Sequence, residues 1–219
     1  MKVNNEVVNK PALALLALIA WAALALQFWL STRLAIANGG TVVDGAIAYF
    51  GYFTVLSNLF VALAATLPLV AGDTRLGRFF ARPMVLGCAT TSIVMVGIGY
   101  HLLLRNVWNP QGLQLLADNL LHYAVPISTL VYWLVFTPRT TFSTLAPLVW
   151  CIYPLGYLVY VFARGGLLGA YPYHFIDVAS IGYPQVLLNS LGLFFAFLVV
   201  GAAVRIVPTL RDRLRTRTD

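Results

Sequence analysis

Residues Asp44 to Val70 read DGAIAYFGYFTVLSNLFVALAATLPLV. Asp44, its first residue, is the only charge in the run. The run exceeds the roughly 20 apolar residues that a helix needs to cross a bilayer core at 1.5 Å per residue. Backbone groups find no water partner in lipid, so helix is the expected conformation. The interior is not uniformly apolar. Thr54, Ser57 and Asn58 stand three and four residues apart, which places them on one helical face.

The rest of the chain repeats the pattern. Further apolar stretches run over Pro11–Leu30, Pro83–Leu104, Leu113–Thr137, Thr144–Arg164 and Gln185–Pro208. Of the 219 residues, 60% are hydrophobic and 10% charged, whereas a soluble domain needs about 25% charged residues to cover its surface. The expected fold is therefore an all-α integral membrane protein, a single six-transmembrane-helix bundle over residues 1–219. The first stretch is flanked by Lys2 and Lys10 like a secretory leader. Its apolar run is longer than the ~7–15 residues of a signal core, and it reads as a membrane helix.

The net charge of +7 follows membrane orientation and not nucleic acid. Lys2, Lys10, Arg75, Arg78, Arg82, Arg139, Arg205, Arg211, Arg213, Arg215 and Arg217 fall on one side, and Arg33, Arg105 and Arg164 on the other. The positive-inside rule then places both termini in the cytoplasm, with the cell membrane as the location. The partners expected are membrane lipids, and no nucleic acid. The oligomeric state is not legible. Cys88 and Cys151 lie inside apolar stretches and read as small core residues.

One connection is unusual. Gly165–Pro184 reads GGLLGAYPYHFIDVASIGYP, too apolar for solvated coil and too interrupted for a spanning helix. Tyr171, Tyr173, Phe175 and Tyr183 suit a headgroup region. The segment is expected to pack as a lid on the outer mouth of the bundle or to serve as an aromatic anchor there.

Polar residues inside a membrane are costly and often functional. Asp118, Asn119 and His122 stack within one turn of the fourth helix. Thr54 lies roughly 9–15 Å from the outer end of its helix and His122 ~13 Å from the end of its own, so a hydroxyl and an imidazole share one level. His122 is suited to remove the threonine proton, with Asp118 orienting the ring. Backbone N–H groups within a regular helix are already used, which leaves Asn58, Asn119 or His101 as oxyanion donors. Arg105 or Arg164 at the outer rim could hold an acidic head group, with snorkelling as the plainer role. The same residues serve equally as polar glue between helices. The three histidines show no metal-ligand spacing, and neither a metal nor a cofactor is expected.

The motifs Tyr52–Asn58 (YFTVLSN), Asp118–His122 (DNLLH) and Tyr171–Asp177 (YPYHFID) resemble those of the bacterial Pr6Pr membrane proteins. These are similar in turn to the animal androgen-induced-gene family of intramembrane threonine hydrolases, which includes the androgen-dependent TFPI-regulating protein. The resemblance extends from the second helix to the sixth. It implies hydrolysis of fatty acid esters of hydroxy fatty acids, with Thr54 as nucleophile and His122 as second essential residue. Two positions depart from the pattern: His174 stands where proline is usual, and Ser57 where animal members can carry an acid. The expected function is an intramembrane lipid-ester hydrolase acting on an amphiphilic ester. Asp118, Asn58, Asn119 and Ser57 support the pair, and His101, Arg105, Tyr171, Tyr173, His174, Asp177 and Asn189 are candidate substrate or lid contacts. The alternative is a six-helix protein without enzymatic activity, either a lipid-binding sensor or a small-solute carrier.

Overall fold

The computed structural model describes residues 9–136 and 142–215. Thr137 and the basic residues Lys2, Arg139 and Arg217 lie outside them. Among the described residues there are helices and turns and no strand, and six helices are long and apolar enough to cross a membrane.

Helix α1 (Lys10–Ala37) starts where Asn9 accepts the Ala12 N–H at 3.0 Å and Pro11 occupies the first turn, a favourable pairing of cap and pre-set backbone. It is followed by α2 (Val42–Phe50), which opens on a reciprocal capping box between Thr41 and Asp44. Next, α3 (Phe53–Val70) and the short α4 (Arg75–Phe80) lead into α5 (Pro83–Gly99). That helix continues through a π turn at Tyr100–Leu104. Beyond a connection, α6 (Gly112–Asn119) runs through a second π turn, Leu120–Ala124, into α7 (Val125–Phe136). Then α8 (Ala146–Trp150) joins α9 (Ile152–Leu168), and a 3-10 turn at His174–Ile176 precedes α10 (Val178–Arg215). The last helix is broken at Gly182, whose φ of 74° suits glycine.

The predicted second stretch, Asp44–Val70, is divided. Tyr52 is extended (φ −88°, ψ 131°), so the spanning helix begins at Phe53 and α2 is a separate short helix before it. Three side chains of α9 stabilise the break. Tyr157 donates to the carbonyl of Gly51 at 3.0 Å, Tyr160 to that of Phe50 at 3.2 Å and Arg164 to that of Ile47 at 3.2 Å. These are carbonyls at the end of α2 that lack helical partners, and the spacing of three and four residues puts all three donors on one face of α9. Arg164 also donates to the carbonyl of Ala170 at 3.1 Å. It ties two connections together where a rim residue holding a head group was an option.

Small residues let the helices approach closely. Ala20 and Ala23 of α1 and Ala62 and Ala65 of α3 are buried in one core cluster, as expected where packing takes the place of hydrophobic exclusion. A second cluster joins Trp133, Trp150 and Phe197. Outward-facing leucines and valines, such as Leu18, Val159 and Val199, remain exposed. Cys88 and Cys151 are free thiols, and Cys151 is buried in the second cluster.

Within Gly165–Pro184 the ends are helical. Helix α9 continues to Leu168 and closes on left-handed Gly169, while α10 starts at Val178. Only the middle is loop. It packs onto α9 and α10 through Val161, Ile176 and Val186, and Asn189 holds it by donating to the carbonyl of Phe175 at 2.9 Å.

Candidate active site

The break before α3 sets the surroundings of Thr54. Thr54 occupies the first turn of a helix whose N-cap residue, Tyr52, supplies no side-chain cap. The first N–H groups of any helix lack internal acceptors. Here the Thr54 N–H is directed at the hydroxyl of Tyr173, 3.3 Å away, from the loop before α10. Asn58, one turn on, donates to the Thr54 carbonyl at 2.8 Å and to the Leu121 carbonyl at 3.2 Å. One buried amide therefore ties the start of α3 to the second π turn.

His122 lies in that π turn, which closes with a bond from Val125 N–H back to the carbonyl of Leu120. Such turns insert a residue into the helix and recur at functional sites. Nδ1 of His122 lies 2.9 Å from the carbonyl oxygen of Asp118 and 3.3 Å from its Oδ1. With two acceptors there, the ring proton of the neutral imidazole belongs on Nδ1, and Nε2 presents a lone pair. Nε2 lies 3.4 Å from Thr54 Oγ1, inside hydrogen-bond reach.

Tyr100, from the other π turn, stacks on the imidazole with ring centroids 3.9 Å apart and planes at 17°. Its hydroxyl donates to Asp118 Oδ2. Gly97, one turn earlier in α5, faces the same element, and an added Cβ there would lie 3.3 Å from the His122 carbonyl. Tyr100 was not anticipated from sequence. A tyrosine near the end of a membrane helix resembles any interfacial aromatic residue, and only its stacking partner sets it apart.

Tyr173, Thr54, His122, Asp118 and Tyr100 thus form one connected chain. Thr54 is 8% exposed and Asp118 3%, while His122 and Tyr173 are half-buried. Burial pushes the Tyr173 phenol up to about 12, and it remains a neutral donor across ordinary pH. Beside Thr54 opens a cleft of about 140 Å³ between α5, α9 and α10. Met95, Leu103, Leu155 and Phe194 are among its almost wholly apolar lining. The buried hydroxyl of Ser190, without a hydrogen-bond partner, lies in the same wall.

The other expected residues divide. Ser57 is fully buried beside the site, and neither its Oγ nor the buried Tyr153 hydroxyl has a hydrogen-bond partner among the described residues. Asn58, Asn119 and His101, the oxyanion donors expected from sequence, have other partners at rest. The Asn58 amide is spent on carbonyls. Asn119 donates to the carbonyl of Leu115, one turn back on its own helix. His101 is exposed and pairs with Tyr123 at 3.2 Å and Arg105 at 3.0 Å. Neither His101 nor Arg105 lines the cleft. Tyr171 packs on Gly165 of α9, and His174 is exposed with its ring edge against Phe175.

Asp177 serves as a cap, accepting from the N–H groups of Ala179 and Ser180 and from the Ser180 hydroxyl. These bonds, that from the Ser180 hydroxyl above all, hold its carboxyl below the usual 3.8. Among the described residues no cluster of three or more His, Cys, Asp or Glu is placed to hold a metal ion.

Comparison with known proteins finds no family model, no curated relative and no solved structure that matches the chain. The class that fold and site define is an all-helical, membrane-type bundle with six candidate spans. The Thr54 hydroxyl lines its apolar cleft and lies within hydrogen-bond reach of the His122 imidazole, which in turn adjoins the Asp118 carboxylate.

Proposed function

We propose that this protein is an intramembrane hydrolase of lipid esters, with Thr54 as nucleophile and His122 as general base and then general acid. The single observation that carries the reading is the 3.4 Å approach of Thr54 Oγ1 to His122 Nε2 beside an apolar cleft. A threonine hydroxyl is inert until a base takes its proton. His122 has the free lone pair to do so, and Asp118 on the far ring nitrogen favours the imidazolium that forms.

In the first step the Thr54 Oγ1–H proton passes to His122 Nε2 as Oγ1 bonds to the ester carbonyl carbon. The carbonyl π pair moves onto oxygen. Collapse restores the carbonyl, breaks the bond to the alcohol oxygen and returns the proton from His122 to the departing alcohol. Water then gives a proton to His122 Nε2 as its oxygen bonds to the acyl carbon. Collapse of this second tetrahedral species breaks the bond to Oγ1, releases the acid and returns the proton from His122 to Thr54 Oγ1.

The apolar cleft suits an acyl chain, and the substrate is an amphiphile whose ester reaches below the headgroup level. The resemblance of Tyr52–Asn58 and Asp118–His122 to the androgen-induced-gene hydrolases makes fatty acid esters of hydroxy fatty acids the first compounds to assay. The chain resides in the cell membrane with both termini in the cytoplasm, as the eleven-to-three distribution of Lys and Arg implies. Purification in detergent and assay against a panel of lipid esters tests the reading. Turnover that Thr54→Ala and His122→Ala abolish supports it. No hydrolysis of any ester by folded wild-type protein overturns it in favour of a lipid-binding or carrier role.

A further inference from the structure

We infer that Tyr173 is a catalytic residue: its hydroxyl and the Thr54 backbone N–H form the oxyanion site for the acyl group on Thr54. The inference rests on the reading of Thr54 as nucleophile and adds a group from a different part of the chain. An oxyanion formed on an attacked carbonyl is bonded to the same carbon as Oγ1, so its donors must lie in the immediate neighbourhood of Oγ1. Two donors do. The Thr54 N–H is free of the helical ladder because α3 begins at Phe53. The Tyr173 hydroxyl lies 3.4 Å from Thr54 Oγ1, within reach of the same space as His122 Nε2.

At rest the amide donates to the phenol oxygen at 3.3 Å, and the phenol hydroxyl lies within hydrogen-bond reach of Thr54 Oγ1. An incoming carbonyl oxygen replaces that bond and accepts from both. The N-cap residue Tyr52 gives the start of α3 no side-chain hydrogen bond, and the Asn58 and Asn119 amides donate to backbone carbonyls.

The Tyr173 ring is already held in place. It stacks on Phe175 at 5.1 Å and 7°, and it meets the Tyr52 ring edge-on at 5.6 Å. Asn189 fixes the Phe175 carbonyl from α10. The donor is preorganised, which is the condition under which such groups stabilise developing charge. The loop that covers the site therefore supplies part of it.

The test uses the full chain in detergent with para-nitrophenyl laurate as substrate. Tyr173→Phe keeps the ring contacts and removes only the hydroxyl. Its kcat is expected to fall about 10²–10³-fold, the usual loss for one oxyanion donor, with KM within about threefold of wild type. A lauryl trifluoromethyl ketone, which forms an oxyanion on the nucleophile, should lose affinity for Tyr173→Phe. A dialkyl ether of the same length should not. A Tyr173→Phe protein with near wild-type kcat, or equal weakening of ketone and ether, overturns the inference and leaves Tyr173 as a helix cap.

Thr54→Ala separates the two levels. If it is inactive while Tyr173→Phe is active, only the present inference fails; if Thr54→Ala turns over normally, the nucleophile assignment fails with it. Should Tyr173→Phe not fold, a ring-fluorinated tyrosine at the same position retains the packing and strengthens the donor. Altered kcat at constant KM then supports the role, and unchanged kcat overturns it.

Discussion

The imidazole of His122 lies face to face with the ring of Tyr100, 3.9 Å between centroids, and the same tyrosine donates its hydroxyl to the Asp118 carboxylate beside that imidazole. One side chain thus restrains both the plane of the candidate base and the group that orients it. Tyr100→Phe preserves the stack and leaves Asp118 Oδ2 without this donor. The unmet acceptor is expected to cost about 1–3 kcal/mol, read as a lowered thermal midpoint in detergent. Tyr100→Ala also removes the wall against the ring and should lose more, by about 3–5 kcal/mol in all, as for a large aromatic residue emptied from a core. Equal midpoints for wild type and Tyr100→Phe would show that the hydroxyl contributes nothing to holding Asp118.

Labelling by a lipid-like fluorophosphonate provides a direct assay of Thr54. The wild type should be labelled at Thr54, and Thr54→Ala should not be labelled at all. His122→Ala should react about 10²–10⁴-fold more slowly, the usual worth of general-base assistance. Thr91 is fully buried, with its hydroxyl bonded to the carbonyl of Gly87 at 2.8 Å, so Thr91→Ala should label normally and controls for disturbance of the bundle. Mass spectrometry of the modified peptide decides the matter, and label on folded Thr54→Ala would place the reactive hydroxyl elsewhere.

The packing of α2 on α1 can be tested at Gly45. A Cβ added there would lie 2.6 Å from the Thr32 Cα, a backbone atom that cannot swing aside. Gly45→Ala should therefore destabilise the protein by about 1–3 kcal/mol, measured again as a thermal midpoint. The start of α3 should shift with α2, because α9 clamps the terminal carbonyls of α2. A midpoint equal to wild type would mean that the two helices separate without cost.

The loop bearing Tyr173 should keep its structure over a broad pH range with defined edges. Hydrogen bonds from the Ser180 hydroxyl and backbone hold the Asp177 carboxyl below its ordinary 3.8. Its stabilising contribution is present above that value and disappears as pH falls through the lowered one. Burial raises the Tyr173 phenol from 10.0 to about 12. Its contribution is complete below 10.0 and is lost as pH rises toward 12. Hydrogen exchange at Ala179 and Ser180 should accelerate at the acid edge, and phenolate absorbance of wild type minus Tyr173→Phe should titrate near the alkaline one. A difference titration centred at 10.0 would show that the Tyr173 hydroxyl is not buried.

What the amino-acid order determined by itself was local. Span length depends on contiguous apolar residues, and Pro83–Leu104 has the same limits in sequence and structure. The spacing of Thr54 with Asn58, and of Asp118 with His122, depends only on helical period, and both pairs fall within one turn in the structure. Equal depth on two helices correctly placed Thr54 and His122 within reach of one another.

What only the tertiary structure decided was set by partners distant in the chain. The interruption at Gly51–Tyr52 is held by Tyr157, Tyr160 and Arg164, 106 to 117 residues from the carbonyls they bind. No local propensity reveals that a helix stops because another helix offers donors to its end. The same interruption frees the Thr54 N–H, which the assumption of a continuous helix had treated as occupied. The two π turns bring Tyr100 onto His122, and Tyr173 reaches Thr54 across 119 residues. Apolar length and helical period are properties of a segment and can be read from it. A hydrogen bond that closes a site belongs to two segments at once, and it exists only when the bundle has brought them together.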